Sequence, residues 1–115
     1  MIDFACKKFE MNEVIKCTLG LTKSEYKLMD FFLEKENQWF STSKLSNLFE
    51  LNITTIQRAV KTLYEKDILD RRQDNLEQGG YEYYYKIKDQ KFIRQKIMSI
   101  IQNWIDKVEK ELNKL

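Results

Sequence analysis

The spacing of apolar residues changes along the chain, and this change limits the fold more than any other feature. Through residues 3–66 apolar side chains recur every three or four positions, which predicts helices. After Asp67 they alternate with polar ones, so 68–73 and 81–87 are predicted as two paired strands. The helical period then returns over 89–115. The pattern predicts a mainly α fold with a small β-hairpin.

Capping residues divide the first part of the helical region. The first helix is predicted over 3–17, with Asp3 as its N-cap and Gly20 as its end. Thr22 and Glu25 have the spacing of a capping box, in which each side chain satisfies a backbone amide at a helix start. We therefore expect a second helix to follow Thr22.

Two further helices precede the hairpin. Trp39-Phe40 is predicted as a short strand, and a short helix is expected over 41–50. Asn52 is a strong N-cap for a longer helix over about 53–66. Helix, turn, helix and hairpin in this order is the winged helix-turn-helix arrangement. The predicted organisation is an N-terminal helix in 1–18, a winged helix-turn-helix domain over 19–88, and a C-terminal helix over 89–115.

The helix over 53–66 carries the residues that we expect to read DNA. One face is apolar, and the other is polar and partly basic. In the major groove Gln pairs bidentately with adenine and Arg with guanine, while Thr contacts a thymine methyl or a phosphate and Lys a phosphate. The predicted contacts from this helix are Thr54, Thr55, Gln57, Arg58 and Lys61. The alternative is an ordinary solvated helix face.

Residues of the hairpin leave two interpretations open. Arg71 and Arg72 are either ordinary surface residues or a clamp on DNA phosphates. The tyrosines at positions 81, 83 and 85 share one strand face, and core packing explains them better than base stacking. Stacking platforms lie beside basic grooves, and the acidic neighbours here are Glu77 and Glu82.

Residues 19–88 resemble archaeal MarR-like and TrmB-like winged-helix transcriptional regulators. The resemblance lies in three stretches and in the Gly79-Gly80 to Tyr85 segment, which is similar to the wing return of that group; the stretches are Leu21-Thr22-Lys23-Ser24-Glu25-Tyr26, Lys44-Leu45-Ser46-Asn47-Leu48-Phe49 and Thr54-Thr55-Ile56-Gln57-Arg58-Ala59-Val60-Lys61-Thr62-Leu63. The resemblance implies a dimeric, cytoplasmic repressor or activator. It implies that the 53–66 helix reads the major groove, with Arg71 and Arg72 in the wing.

The chain departs from that group at two places. Asp67 stands where members commonly have Gly, so we expect it to adopt the left-handed backbone conformation, which Asp tolerates better than most residues. Tyr81-Glu82 follows the glycines where members often have Arg or Lys. This second departure weakens the expected minor-groove contact of the wing tip.

The C-terminal segment carries a long apolar band that predicts a homodimer. Its apolar residues step by three and four positions, as in a coiled seam. The predicted dimer contacts are Ile97, Ile101, Trp104, Ile105, Val108 and Leu112. The alternative is that the helix folds back on the core of its own chain. A dimer would suit DNA binding, because two recognition helices one DNA turn apart (about 34 Å) read a near-palindromic site.

Composition argues against an enzyme and against a membrane protein. The chain has no His and only three Gly, so it lacks the commonest general base and cannot build a phosphate-binding glycine loop. No apolar run approaches the roughly 20 residues of a membrane span. The start Met1-Ile2-Asp3 does not suggest a signal peptide, and a cytoplasmic protein without a cofactor or a metal is expected.

The charge distribution and the two cysteines add two points. The net charge is only +2, and residues 52–66 hold three basic residues and one acidic residue, so a nucleic-acid site would be local to that helix.

Cys6 and Cys17 are 11 positions apart and would share a face if one helix carried both. They are either buried thiols or a redox switch that acts through an intermolecular disulfide.

These observations predict a homodimeric protein that binds specific double-stranded DNA and regulates transcription. The alternative is a winged-helix module that binds proteins without contacting DNA, which the near-neutral charge leaves open. No residue pattern identifies a small-molecule effector.

Overall fold

The computed structural model describes all residues from 1 to 115, which form five helices and two small antiparallel sheets. The elements in chain order are β1 (Ile2–Phe4), β2 (Lys7–Phe9), α1 (Met11–Leu19), α2 (Lys23–Glu34), β3 (Phe40–Ser41), α3 (Thr42–Phe49), α4 (Ile53–Glu65), β4 (Leu69–Asn75), β5 (Tyr81–Ile87) and α5 (Gln90–Leu112). The predicted mainly α chain with a β-hairpin is confirmed, and a second sheet is present in addition. The chain forms two compact units, residues 23–89 and residues 1–22 with 90–115.

In the unit 23–89, the three strands form one antiparallel sheet in the order β3-β5-β4. Its largest fully buried side chains come from α2, α3, α4 and the start of β4: Leu28, Met29, Phe32, Leu45, Ile56, Val60, Leu63, Ile68 and Leu69. The predicted inner face of α4 (positions 56, 59, 60 and 63) is buried as expected. Leu48 is different, because α3 leaves it 53% exposed although its spacing suggested core packing.

An aromatic cluster joins α2 to β3 and α3. The Phe31 ring meets the rings of Phe32, Phe40 and Phe49 edge to face, with centroids 5.9, 5.0 and 5.3 Å away. Such edge-to-face pairs stabilise beyond the area that they bury. The cluster therefore fixes the short β3 strand, and with it the start of α3, against α2.

Local hydrogen bonds set the ends of α3 and α4. The Ser41 hydroxyl accepts from the Lys44 backbone N–H at 3.1 Å, which caps α3. The Asn52 side chain accepts from the Thr54 backbone N–H at 2.8 Å, so the predicted N-cap of α4 is confirmed. Asp67 has φ +60°, as expected for a residue in place of Gly, and its N–H donates to the Tyr64 carbonyl at 3.0 Å. This left-handed residue turns the chain from α4 into β4.

The unit formed by residues 1–22 and 90–115 corrects the predicted N-terminal helix. A helix over 3–17 is wrong for its first half, because β1 and β2 pair there with Ile2 opposite Phe9 and Phe4 opposite Lys7. Ile2 and Phe4 alternate with a polar residue, which is the period of a strand, and Ala5 takes φ +54° in the turn.

The N-terminal helix of this unit is therefore short. Helix α1 begins only after Glu10, so Asp3 is not its N-cap, and the left-handed Gly20 ends it as predicted. Cys6 lies in the β1–β2 turn and Cys17 in α1, so one helix does not carry both thiols. Within the unit α1 packs against α5.

Candidate nucleic-acid interface

The outer face of α4 presents the side chains that the sequence predicts to contact DNA. Burial of the opposite face fixes the helix rotation, so all five positions, Thr54, Thr55, Gln57, Arg58 and Lys61, are exposed. Lys61 Nζ lies 4.0 Å from a Glu65 carboxylate oxygen, and both side chains are more than half exposed. Exposed pairs of this kind contribute little, so Lys61 remains available to an anion.

A groove of about 520 Å³ lies between α4 and the hairpin of β4 and β5. Helix α4 lines it with Ile53, Gln57 and Lys61. The hairpin contributes Arg71 and Leu76, together with tyrosines 81, 83 and 85. The structure therefore brings three predicted DNA contacts, at positions 57, 61 and 71, to one groove, while the other four do not line it.

Arg71 and Arg72 point to opposite faces of β4, as neighbouring residues of a strand do. The Arg71 guanidinium carbon lies 4.2 Å from the ring centroid of Tyr64 on α4 and 4.3 Å from that of Tyr83 on β5. These distances are well within the range of cation–π contacts. Arg71 thus faces α4 and the groove, and the two arginines do not form one clamp.

Arg71 also interacts with the buried Tyr85, its direct partner across the ladder. Burial raises the pKa of the Tyr85 phenol, and the hydrogen bond from Arg71 opposes this shift without reversing it. Burial lowers the pKa of Arg71, but the hydrogen bond to Tyr85 and the charge interactions with tyrosines 85, 83 and 64 together outweigh it and leave that pKa above its ordinary value. Arg71 therefore interacts with three tyrosines, at positions 64, 83 and 85.

The other sheet face forms a separate cationic and aromatic cluster. The Arg72 guanidinium carbon lies 4.9 Å from the Trp39 ring centroid and 5.1 Å from that of Tyr84. Lys86 Nζ lies 5.0 Å from the Trp39 ring centroid, and Arg72 pairs with Asp74 at 3.4 Å. Sequence reasoning missed both Tyr64 and Trp39 as partners of the two arginines, because the pairing depends on how the hairpin lies against α4 and β3.

The tip of the hairpin is apolar and acidic. Leu76 is 46% and Tyr81 is 56% exposed, and the glycines at 79 and 80 take φ +92° and +81° between them. One carboxylate oxygen of Glu82 is buried without a hydrogen-bond partner, directly across the ladder from Asp74. Leu76, Glu77 and Tyr81, exposed side chains of the tip, are apolar or acidic, which agrees with the expected weakness of a minor-groove contact there.

Much of the predicted dimer band on α5 is exposed. Trp104 and Leu112 are 57% and 58% exposed, and Ile105 and Val108 are 44% and 36% exposed. Ile97 and Ile101 are half-buried. The β1–β2 hairpin of the same unit also leaves Ile2 and Phe4 exposed. Contiguous exposed apolar residues of this kind are typical of a protein–protein contact.

Other kinds of site find little support in the structure. Both cysteines are free thiols and both are exposed, so the interpretation of buried thiols is wrong. Cys6 lies in a hairpin turn and Cys17 on the outer face of α1, and neither place is covered by apolar side chains. No group of three or more His, Cys, Asp or Glu side chains lies close enough together to hold a metal ion. None of the helices combines the length and the apolar character that crossing a bilayer requires.

Comparison with known proteins identifies relatives over nearly the whole chain. A sequence model of the DnaD N-terminal domain matches residues 9–108. The uncharacterised protein MJ1082 of Methanocaldococcus jannaschii is 29% identical over 106 residues, which span 92% of this chain and 86% of that protein.

Solved structures with the same fold come from archaea. A protein of Methanosarcina mazei Go1, described as a possible transcriptional regulator, is 47% identical with a TM-score of 0.94, covering 99% of this chain and 95% of that one. The ST1889 protein of Sulfolobus tokodaii is 20% identical with a TM-score of 0.69, over 84% of this chain and 92% of that one. A transcriptional regulator homologue of Pyrococcus horikoshii OT3 is 13% identical with a TM-score of 0.56, over 85% and 95%, and shows likeness of fold alone.

Proposed function

The chain belongs to the DnaD N-terminal domain family, and within that family we propose that it is a cytoplasmic winged helix-turn-helix regulator of transcription that binds specific double-stranded DNA as a homodimer. Helix α4 is the recognition helix and the β4–β5 hairpin is the wing. The protein acts by binding rather than by catalysis. The relative from Methanosarcina mazei, described as a possible transcriptional regulator, supports this role.

One observation carries the proposal. Because one face of α4 is buried, its polar and basic face is exposed beside a groove. A helix fits the major groove of DNA, and side chains of its first turns reach base edges. Thr54, Thr55, Gln57 and Arg58 lie in the first half of α4, where such contacts form. Lys61, one turn further on, faces the groove and is suited to a phosphate.

The dimer rests on the exposed apolar band of α5. Side chains such as Trp104 and Leu112, more than half exposed, are unfavourable in water and are buried if a second copy covers them. A homodimer contains two α4 helices, which is the number that a DNA site with two half-sites requires. Positions 97, 101, 104, 105, 108 and 112 are the proposed contacts.

A titration with salt tests the DNA-binding role. The purified protein is measured against duplex DNA from the region upstream of its own gene, with a scrambled duplex of equal composition as the control. We expect selective binding whose affinity falls steeply as salt rises, because each phosphate contact releases counterions. Equal affinity for both duplexes, or none at low salt, would contradict the proposal.

The second candidate is a protein-binding module with the same fold. The apolar and acidic wing tip favours this candidate. Leu76 and Tyr81 are exposed at the tip, where a DNA-binding wing would have a basic residue to contact a phosphate. This alternative predicts that a protein partner, and no duplex, protects the amides of α4 from hydrogen exchange.

A further inference from the structure

Arg71 lies where the hairpin leaves the core of its unit. On the inner face of the hairpin, the pair Leu69 and Ile87 at its base is buried, while Gln73 and Asn75 further out are exposed. Arg71 and Tyr85 form the rung between these two parts. The outer half of the hairpin therefore extends beyond the buried core, and contacts at this rung decide how firmly it is held.

The Arg71 side chain connects three residues of two different elements. Its guanidinium carbon lies 4.2 Å from the ring centroid of Tyr64 and 4.3 Å from that of Tyr83, and Tyr85 is its direct partner across the ladder. Tyr64 belongs to α4, whereas the other two tyrosines belong to β5. The stack on Tyr64 thus ties the hairpin to α4 outside the buried core.

We propose that Arg71 is a positioning residue whose stack on Tyr64 and Tyr83 fixes the angle of the hairpin against α4. The clamp is a property of the free protein, and its consequence for DNA rests on the function proposed above. The outer half extends about 13 Å beyond the rung, at ~3.3 Å per residue, so a tilt of about 20° moves the tip by about 5 Å. Polar contacts form only within about 3 Å, so a hairpin whose tip moves by this much would lose its contacts with DNA.

The clamp depends on the planar shape of the Arg71 guanidinium and not on its charge alone. A guanidinium stacks on aromatic rings with both faces, whereas a lysine ammonium is a compact point charge. A direct phosphate contact would tolerate Arg71→Lys, because Lys also binds phosphate. Arg71→Lys therefore separates a clamp from a simple phosphate contact.

Hydrogen exchange in the free protein tests the clamp without DNA. We expect amides of residues 72–84 to exchange roughly tenfold faster in Arg71→Ala and in Arg71→Lys, because two partly exposed cation–π contacts are lost. In Tyr64→Ala, which loses one of the two contacts, we expect exchange to be roughly threefold faster. Tyr64→Phe keeps the ring and is the matched control, with exchange as in the wild type. Wild-type exchange in Arg71→Lys or in Tyr64→Ala would overturn the proposal.

The affinity for DNA provides a second, independent test. The duplex is selected from a random-sequence pool by the wild-type protein. We expect Arg71→Ala and Arg71→Lys to lose up to roughly tenfold in affinity, since only the fraction with a correctly placed hairpin binds, with the salt dependence unchanged. A salt slope reduced by about 2 in Arg71→Ala, since a dimer carries two copies of Arg71, and restored in Arg71→Lys would overturn the clamp in favour of a phosphate contact. If no duplex is selected, the proposed function fails, while hydrogen exchange still decides whether the clamp exists.

Discussion

Replacement of both Arg58 and Lys61 by Ala removes the two cations from the exposed face of α4. In a homodimer the change removes four cations, and each phosphate contact contributes a slope of about −0.9 to log affinity against log salt. If all four contact phosphates, the slope becomes shallower by about 3.6. A fourfold rise in salt, from about 50 to about 200 mM, would then weaken the wild type by roughly 150-fold more than the variant.

Fluorescence anisotropy with a labelled duplex measures both slopes. The matched control replaces Lys27 and Lys35 by Ala, because both are exposed in or next to α2 and their loss changes the net charge equally. Light scattering verifies that each variant remains a dimer. If the slope of the α4 variant equals that of the wild type, or if the control variant has an equally shallow slope, Arg58 and Lys61 do not contact phosphates.

Three further changes test other parts of the structure. Trp104→Ala on α5 should weaken dimerisation by about 2 kcal/mol, as an interface hot spot does, and an unchanged dissociation constant in analytical ultracentrifugation would place the interface elsewhere. Asn52→Ala removes the 2.8 Å cap of α4 and should cost about 1 kcal/mol, seen as a lower melting temperature; equal melting would show that the cap contributes nothing. If the exposed thiols act as a redox switch, an oxidant should change the DNA affinity of the wild type but not of a Cys6→Ser, Cys17→Ser variant, and an equal response in both proteins excludes the switch.

The elements that local sequence signals define were predicted well. Asn52 caps α4 as expected, the apolar spacing of that helix matches its buried face, and β5 spans the predicted residues. Asp67 adopts the left-handed conformation that the turn requires. The exposure of positions 54, 55, 57, 58 and 61 of α4 followed directly, because burial of one helix face determines which residues lie on the other.

The errors arose where the decisive interactions are short or distant in sequence. The β1 and β2 strands have three residues each, too few for a period of two to stand out from a loose helical pattern. Arg71 and Arg72 were treated as one pair, although the strand sends them to opposite faces. Their partners Tyr64 and Trp39 come from other elements, so no local pattern reveals them.

The opposite placement of Arg71 and Arg72 also bears on how the hairpin finds its strand alignment. A shift of one residue turns every side chain of β4 to the other face, so Arg72 would replace Arg71 beside the tyrosines. Since an arginine faces the tyrosines in both cases, the middle of β4 hardly distinguishes the correct alignment from the shifted one. The same shift would put Asp70 in the buried place of Leu69 opposite Ile87, at a high cost in desolvation. Correct pairing during folding is thus selected at the base of the hairpin, and a substitution that makes Leu69 polar would permit misaligned strands.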